Sequence, residues 1–165
     1  MSTAAVQDRV RESVARNAPL RITGNGGWLD AGRPVHDAAP LSVAVDDGIL
    51  EYVPGDLTLT ARAGASLASI ARATNAEGQW PALDPHGAST VTLGATTATA
   101  SAGPLSLAYR TPRGARLRPE VVTGRGEGVR AGARGGPTGG GFGQAGLCNG
   151  AAGTLAGATR AQRRG

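Results

Sequence analysis

A glycine-rich turn follows the first predicted strand of this chain. The apolar run Leu20-Arg21-Ile22 leads into Gly24-Asn25-Gly26-Gly27. Because glycine permits positive φ and close backbone approach, successive N–H groups of such a turn can point at phosphate oxygens. Asn25 tolerates left-handed geometry, and its side-chain amide could add a donor. The turn is a candidate phosphate site, although a Gly-x-Gly-Gly turn considered alone is more often structural.

A second candidate is a stretch that almost lacks large side chains. Residues 90–102 consist nearly entirely of Thr, Ala, Ser and Gly around Leu93-Gly94. Small side chains let a backbone lie close to a flat ligand, but they also suit a closely packed helix. From the residues alone, the packing helix is the favoured interpretation.

Other residue types that carry chemistry are sparse. Cys148 is the single cysteine, which excludes an internal disulfide, and one thiol cannot form a metal site by itself. His36 and His86 fall in predicted loops, so we interpret both as solvent-exposed structural residues. We assign no catalytic residue.

The composition limits the class of protein. A length of 165 residues fits one domain, and the 27 glycines leave room for only a thin apolar core. The net charge of +5 is too low to hold the chain open by repulsion. A three-residue glycine period and a long apolar run are both absent from the sequence, which excludes collagen and a membrane span. We expect a thinly cored soluble domain.

The basic residues do not form an obvious nucleic-acid site. All 17 basic side chains are Arg, they are scattered, and aromatic residues make up only 3% of the chain. Nucleic-acid surfaces usually cluster their cations among aromatic rings, so we attribute the Arg usage to coding bias and consider nucleic acid an unlikely partner. The charged N-terminal segment lacks the apolar run of a signal peptide, which predicts a cytoplasmic location.

The elements that must position the candidate residues follow an α+β order. Apolar spacing behind Ser2 and Thr3 predicts an amphipathic helix over residues 3–17, and Ser66 is expected to cap a second helix that ends near Asn75. Three apolar or alternating runs separated by turn residues predict a compact three-strand unit, namely residues 41–45, 49–53 and 57–61. A β-hairpin is predicted over 117–131.

Beyond residue 131 the sequence becomes rich in glycine and arginine. We therefore predict a folded part over 1–131, with subdomains of about 1–78 and 79–131, and a poorly ordered tail over 132–165.

The order of five segments resembles the FAD-binding domain of the vanillyl-alcohol-oxidase (PCMH-type) flavoprotein family. They read "APLRITGNGG", "LEYVPGDLTLTARAGASLASIARA", "EGQWPALDP", "TVTLGATTATASAGP" and "RPEVVTGRGEGVRAG". Within that family the chain is most similar to the FAD-binding subunits of bacterial glycolate oxidases. The resemblance implies two α+β subdomains with FAD held between them, non-covalently and without a Rossmann motif.

The resemblance also implies which residues bind the cofactor. The turn would wrap the FAD pyrophosphate, and its residues are Thr23, Gly24, Asn25, Gly26, Gly27 and Trp28. A second group would follow the ribityl chain and flavin ring: Pro85, Thr92, Gly94, Ala98 and Gly103. In that group Thr92 would donate its hydroxyl and Gly94 its N–H, while Ala98 and Gly103 would leave room for the ligand. Gly153 and Thr154 belong to a remnant element over 150–159, near the adenine and flavin.

The chain departs from the family pattern at several positions. Ala95 stands where relatives carry a second glycine, and Ala156, Gly157 and Ala158 replace one glycine and two bulky aliphatics. Relatives also continue into a cap domain that covers the substrate, and this sequence stops before it. We expect an FAD-dependent oxidoreductase domain acting on a 2-hydroxy acid, incomplete without a cap domain or the other subunits of a glycolate-oxidase-like complex. The alternatives are a truncated, non-catalytic remnant and, less favoured, an Arg-rich nucleic-acid- or partner-binding module.

Overall fold

The computed structural model describes residues 2–27, 29–30, 34–44, 48–87, 89–109 and 119–130. These residues form three α-helices, which are α1 (Thr3–Ala15), α2 (Leu67–Asn75) and α3 (Leu93–Thr99). They also form six strands: β1 (Leu20–Thr23), β2 (Ala39–Ser42), β3 (Ile49–Val53), β4 (Thr58–Ala61), β5 (Glu120–Val122) and β6 (Gly128–Arg130). Short 3-10 turns occupy Pro54–Asp56 and Pro104–Leu107. The mixture of helices and small sheets confirms the predicted α+β class.

Serine side chains cap the first two helices, as the sequence predicts. Ser2 Oγ accepts a hydrogen bond from the N–H of Ala5 at 3.3 Å, and Ser66 Oγ accepts one from the N–H of Ser69 at 3.1 Å. Each bond satisfies an amide that has no partner inside its own helix. The second helix ends at Asn75, also as predicted.

The three-strand unit expected over residues 41–61 is wrong. Strand β2 pairs in parallel with β1, and Leu41 lies opposite Ile22 in the register. Strands β3 and β4 form a separate antiparallel pair. Turn residues between apolar runs suggested a hairpin between β2 and β3, but Leu41 is instead buried in a cluster with α1. The parallel pairing places the glycine turn after β1 at the carboxyl ends of both strands.

Two groups of buried side chains form the core of the described chain. The first joins α1, β2 and β5 through Val6, Val10, Leu41 and Val122. The second joins β4 to the segments around α2 and α3, and its buried members are Leu59, Ala61, Ala65, Leu67, Ile70 and Leu93. Both groups are small, which agrees with the thin core expected from composition.

The predicted hairpin is present as the antiparallel pair of β5 and β6. Its turn packs against α1, where Gln7 Nε2 donates to the carbonyl of Gly126 at 3.3 Å. The hairpin thus packs against the first helix. One buried cluster therefore contains residues from both sides of the predicted subdomain boundary near residue 78. That boundary stays a prediction, and the predicted tail over 132–165 lies outside the described residues.

Candidate functional site

The glycine turn begins where β1 ends. The carbonyl of Thr23 still belongs to the sheet, because it accepts a hydrogen bond from the N–H of Val43 at 2.9 Å. Gly26 then adopts φ of +77°, a conformation that side-chain-bearing residues rarely adopt. The N–H of Leu29 donates to the carbonyl of Gly26 at 3.3 Å and closes the turn. Trp28 lies outside the described residues.

The backbone amides of this turn make no hydrogen bonds to the described part of the protein. Within the described part of the chain, none of the N–H groups from Gly24 to Gly27 donates to a protein atom. Gly27 is exposed, and a Cβ built on it would meet nothing within 4 Å. Successive amides without protein acceptors, next to open space, form a donor set that suits a phosphate group. The turn therefore fits the pyrophosphate of the cofactor implied by the resemblance.

Thr92 packs directly against this turn. A Cβ on Gly24 would lie 2.5 Å from Thr92 Oγ1, so only glycine allows the observed approach. Thr92 is fully buried, and its Oγ1 caps α3 by accepting a hydrogen bond from the N–H of Ala95 at 3.2 Å. The structure thus brings together the glycine turn at residues 24–27 and the small-residue stretch at residues 90–102, which the sequence analysis identified separately.

Asn25 makes a second connection between the same segments. Its Nδ2 donates to the carbonyl of Thr90 at 2.5 Å. The predicted extra donor for phosphate is therefore used, at least through one N–H, to hold the turn against residue 90. Sequence spacing gave no signal for this bond, which spans 65 positions.

The expected cofactor donors Thr92 and Gly94 also make contacts within the protein. The N–H of Gly94 donates to the carbonyl of Ala63 at 2.8 Å, and the N–H of Leu93 donates to that of Ala65 at 2.8 Å. Gly94 is buried, and a Cβ there would lie 2.8 Å from the Cβ of Ala63. Because Thr92 and Gly94 are both buried, they position α3 against the turn. The close packing expected of a small-residue helix is present here, and the expected contacts of both residues with the cofactor stay predictions.

The start of α2 is likewise closed to ligands. Ser66 and Thr92 form an isolated antiparallel bridge, so α2 and α3 begin side by side. The N–H groups of Leu67 and Ala68 donate to the carbonyls of Val91 and Ser89, at 3.0 and 2.9 Å. Both helix starts therefore use their free amides to bind each other's flanking chain.

Gly103 lies close to Asp84. Its N–H donates to the carbonyl of Asp84, and the space that a Cβ would need is occupied by the Asp84 carboxylate. The same carboxylate accepts the N–H of Leu105 at 3.1 Å. A side chain at position 103 would collide with Asp84, and the expected place of Gly103 beside the ligand stays a prediction. The bond between Asp84 and Leu105 joins residues 21 positions apart, so it could not be predicted from the sequence.

The remaining predicted site residues lie at the edges of this arrangement. Pro85 is half-buried beside Asp84, and Ala98 is exposed near the end of α3. The N–H of His86 donates to Ser101 Oγ at 2.9 Å, which ties the segment after Pro85 to the chain that follows α3. Gly153 and Thr154 lie outside the described residues.

A hydrogen-bonded tyrosine anchors the segment that leads to Asp84. Tyr52 Oη donates to Gln79 Oε1 at 2.7 Å, and Gln79 Nε2 donates to the carbonyl of Pro54 at 2.9 Å. Burial, and secondarily the nearby Glu77 carboxylate, raise the pKa of Tyr52 above its ordinary value of 10.0. The adjacent Trp80 meets Tyr109 edge to face, with ring centroids 4.9 Å apart. These contacts support the site without contributing a group that reacts at neutral pH.

Metal and membrane functions have no support in the described residues. No three of their His, Cys, Asp and Glu side chains come together in a way that could hold a metal ion. No helix within the same ranges is long and apolar enough to cross a bilayer.

Comparison with known proteins agrees with this geometry. A family described as "FAD binding domain" matches residues 1–132. The glycolate oxidase subunit GlcE of Escherichia coli (strain K12) is 33% identical over 129 residues, which cover 78% of this chain and 37% of GlcE. The resemblance found in the sequence is therefore confirmed.

Solved structures share the fold. The glucose dehydrogenase Phl p 4.0202 aligns with a TM-score of 0.74 and 13% identity, covering 94% of this chain and 33% of its own. The 6-hydroxy-D-nicotine oxidase of Arthrobacter nicotinovorans aligns with a TM-score of 0.67 and 14% identity, covering 79% of this chain and 28% of its own. The chain thus spans about a third of the length of these relatives. It belongs to the FAD-binding domain family of the vanillyl-alcohol-oxidase (PCMH-type) flavoproteins, and FAD is its cofactor.

Proposed function

We propose that this chain is the FAD-binding part of a flavin-dependent oxidoreductase that oxidises a 2-hydroxy acid. The observation that carries the proposal is the turn from Gly24 to Gly27, whose amides have no acceptor among the described residues and which is held against Thr90 and Thr92. The 33% sequence identity to GlcE, a glycolate oxidase subunit, supports the choice of substrate class.

The chain's own residues would bind and orient the cofactor. The N–H groups of Gly24, Asn25, Gly26 and Gly27 would hold the pyrophosphate, because a turn of free amides stabilises negative charge. Bound FAD supplies the chemistry, since its flavin ring accepts a hydride from the substrate. Thr92 and Gly94 would act behind this surface by fixing where the turn lies relative to α3.

We propose that FAD is held non-covalently. The turn from Thr23 to Gly27 contains neither histidine nor cysteine, the usual side chains for a flavin bond. The backbone of His86 is bound to Ser101, in a segment connected to Asp84 rather than to the turn. Denaturation in acid should release all flavin into the supernatant, whereas flavin that stays with the precipitated protein would contradict the proposal.

The substrate pocket is proposed to need further polypeptide. We assign no described residue to the substrate, and the chain spans 37% of GlcE. Other subunits of a glycolate-oxidase-like complex, or a cap domain, would supply the groups that bind the 2-hydroxy acid. The cytoplasmic location predicted from the sequence stays a prediction.

One observation favours a second candidate, a non-catalytic remnant that keeps the fold. The positions expected to line the flavin at Thr92, Gly94 and Gly103 are closed by protein atoms in this structure. A remnant would bind FAD weakly or bind it without supporting reduction. No observation on the described residues favours the Arg-rich nucleic-acid module. Arg9 and Arg11 of α1 and Arg16 just after it are each paired with Asp8 or Glu12, and the Arg residues after 130 lie outside the described part of the chain.

A titration separates these candidates. FAD is added to the purified chain while its fluorescence and visible spectrum are recorded, and the bound flavin is then exposed anaerobically to glycolate, with and without the companion subunits of the complex. Saturable binding followed by bleaching with the subunits present supports the oxidoreductase. Binding that never leads to bleaching favours the remnant, and an absence of binding refutes the cofactor role of the turn.

A further inference from the structure

Arg21 lies in the middle of β1, just before the glycine turn. Its Nη2 donates a hydrogen bond to the carbonyl of Leu29 at 2.6 Å, which is eight residues further along the chain. The bond therefore spans the whole turn from Gly24 to Gly27 and closes it from the strand side. Neither the sequence pattern nor the family resemblance indicated this contact.

Leu29 transmits the contact to the centre of the turn. Its N–H donates to the carbonyl of Gly26 at 3.3 Å. Its side chain also lies beneath Gly26, because a Cβ built there would be 3.2 Å from Leu29 Cδ1. By holding Leu29, Arg21 therefore also holds Gly26, the residue of the turn with positive φ.

The charge of Arg21 is not compensated by a carboxylate. Among the residues that the structure describes, no Asp or Glu lies within salt-bridge distance of its guanidinium. Guanidinium carries five N–H donors, and the bond to Leu29 uses one of them. The positive charge of Arg21 is thus bonded to Leu29, at the end of the turn whose amides have no acceptor.

We infer that Arg21 is a positioning residue for the FAD pyrophosphate: its guanidinium holds the turn closed through Leu29 and adds positive charge beside the phosphate-binding amides. The inference rests on the proposed function of the turn. It predicts a loop that is ordered before the cofactor arrives, so that little ordering cost is added on binding. A purely structural role in β1 would instead affect stability without affecting the response of binding to salt.

The test compares Arg21→Gln and Arg21→Lys with the wild-type chain and with Arg72→Gln. Arg72 is an exposed residue of α2 without an ion pair in the described part of the chain, so its substitution removes the same charge elsewhere. Amide hydrogen exchange of peptides covering residues 24–30 is measured without cofactor. The Kd for FAD is then measured at low and high NaCl.

Arg21→Gln is expected to speed exchange in the turn and to weaken FAD binding by about tenfold or more, the usual scale for losing a hydrogen bond to a charged group. It should also reduce the dependence of Kd on NaCl, whereas Arg21→Lys keeps that dependence and recovers part of the affinity. Arg72→Gln should behave as wild type.

Unchanged exchange and unchanged Kd in Arg21→Gln, with FAD bound normally by the wild type, would overturn the inference alone. A wild-type chain that binds no FAD would instead refute the proposed function. Weaker binding with unchanged salt dependence would assign Arg21 a structural role and also contradict the inference.

Discussion

Asn25 and Thr90 are joined by a hydrogen bond between a side-chain amide and a backbone carbonyl, 2.5 Å long and 65 positions apart in sequence. The bond connects the glycine turn to the segment just before α3. Together with the contact of Gly24 on Thr92, it holds the turn through residues other than those that Arg21 contacts. The turn is thus supported by two separate parts of the chain.

Removing the Asn25 amide should weaken both FAD binding and the fold. In Asn25→Ala the turn loses its bond to Thr90, and because Asn25 is exposed the cost in unfolding free energy should be about 0.5–1.5 kcal/mol. We expect a several-fold increase in the Kd for FAD, measured by fluorescence titration. Asn75→Ala, at the exposed end of α2, is the control, and equal affinities in the two variants would contradict the role of Asn25.

Two glycines of the same turn should respond differently to alanine. A Cβ at Gly24 would lie 2.5 and 3.2 Å from Oγ1 and Cγ2 of the fully buried Thr92, which has no space to retreat. Gly24→Ala should therefore lower the unfolding free energy by about 1–3 kcal/mol, as overpacking usually does. Gly27→Ala should change it by less than about 0.5 kcal/mol, because its Cβ meets nothing within 4 Å. Urea unfolding of both variants measures the difference, and similar midpoints would show that the contact with Thr92 is not close.

Gly94→Ala should destabilise the protein although Gly94 lies in a helix. Alanine normally stabilises an exposed helix position relative to glycine by about 1 kcal/mol. Here the new Cβ would lie 2.8 Å from the Cβ and 3.0 Å from the carbonyl oxygen of Ala63, so overpacking outweighs the propensity gain. Thermal unfolding should show a lower Tm for Gly94→Ala and little change for Gly55→Ala, whose Cβ meets nothing within 4 Å. A higher Tm for Gly94→Ala would be the contradicting result.

Tyr52 should make stability depend on pH in the alkaline range. The folded-state pKa of Tyr52 is raised above 10.0, so the folded state holds the phenol proton more tightly than the unfolded state. This contribution is complete below about pH 10 and is lost as the pH rises through the folded-state pKa. Tyr52→Phe should flatten the stability curve in that window, as measured by urea unfolding at several pH values. An equally steep curve in the variant would exclude Tyr52 as the cause.

The Glu77 carboxylate provides a separate check on the same pKa. Glu77 is the second cause of the shift, after burial. Glu77→Gln should therefore lower the pKa of Tyr52 towards 10.0 without restoring it fully, as followed by phenolate absorbance against a Tyr52→Phe reference. No change on this substitution would leave burial as the single cause.

Local signals in the sequence predicted the helix starts but not the strand partners. Ser2 and Ser66 act on amides three residues away, so their capping role can be read from short spacing. The pairing of β2 with β1 depends on burial of Leu41 against Val6 and Val10, which no local pattern encodes. Turn residues before β3 therefore suggested the wrong neighbour.

The sequence indicated which positions of the candidate site need small residues, but not which contacts require them. The turn was identified by glycine chemistry and by resemblance, and its amides have no acceptors in the described chain. Thr92, Gly94 and Gly103 were singled out for the cofactor, and within the protein they contact Gly24, Ala63 and Asp84. A position that tolerates only a small residue has the same sequence pattern whether its close neighbour is a ligand or another part of the protein.

The burial of Val122 against α1 sets an order for folding during synthesis. Val6 and Val10 leave the ribosome before most of the other described residues, whereas Val122, which is buried with them, is made after nearly all of these. Until β5 emerges, the apolar face of α1 has only β1 and β2 to cover it. Contacts between distant parts of a chain form slowly, so the nascent domain exposes that face for most of its translation. A chaperone that binds short apolar helices would find its target in α1 until β5 has been made.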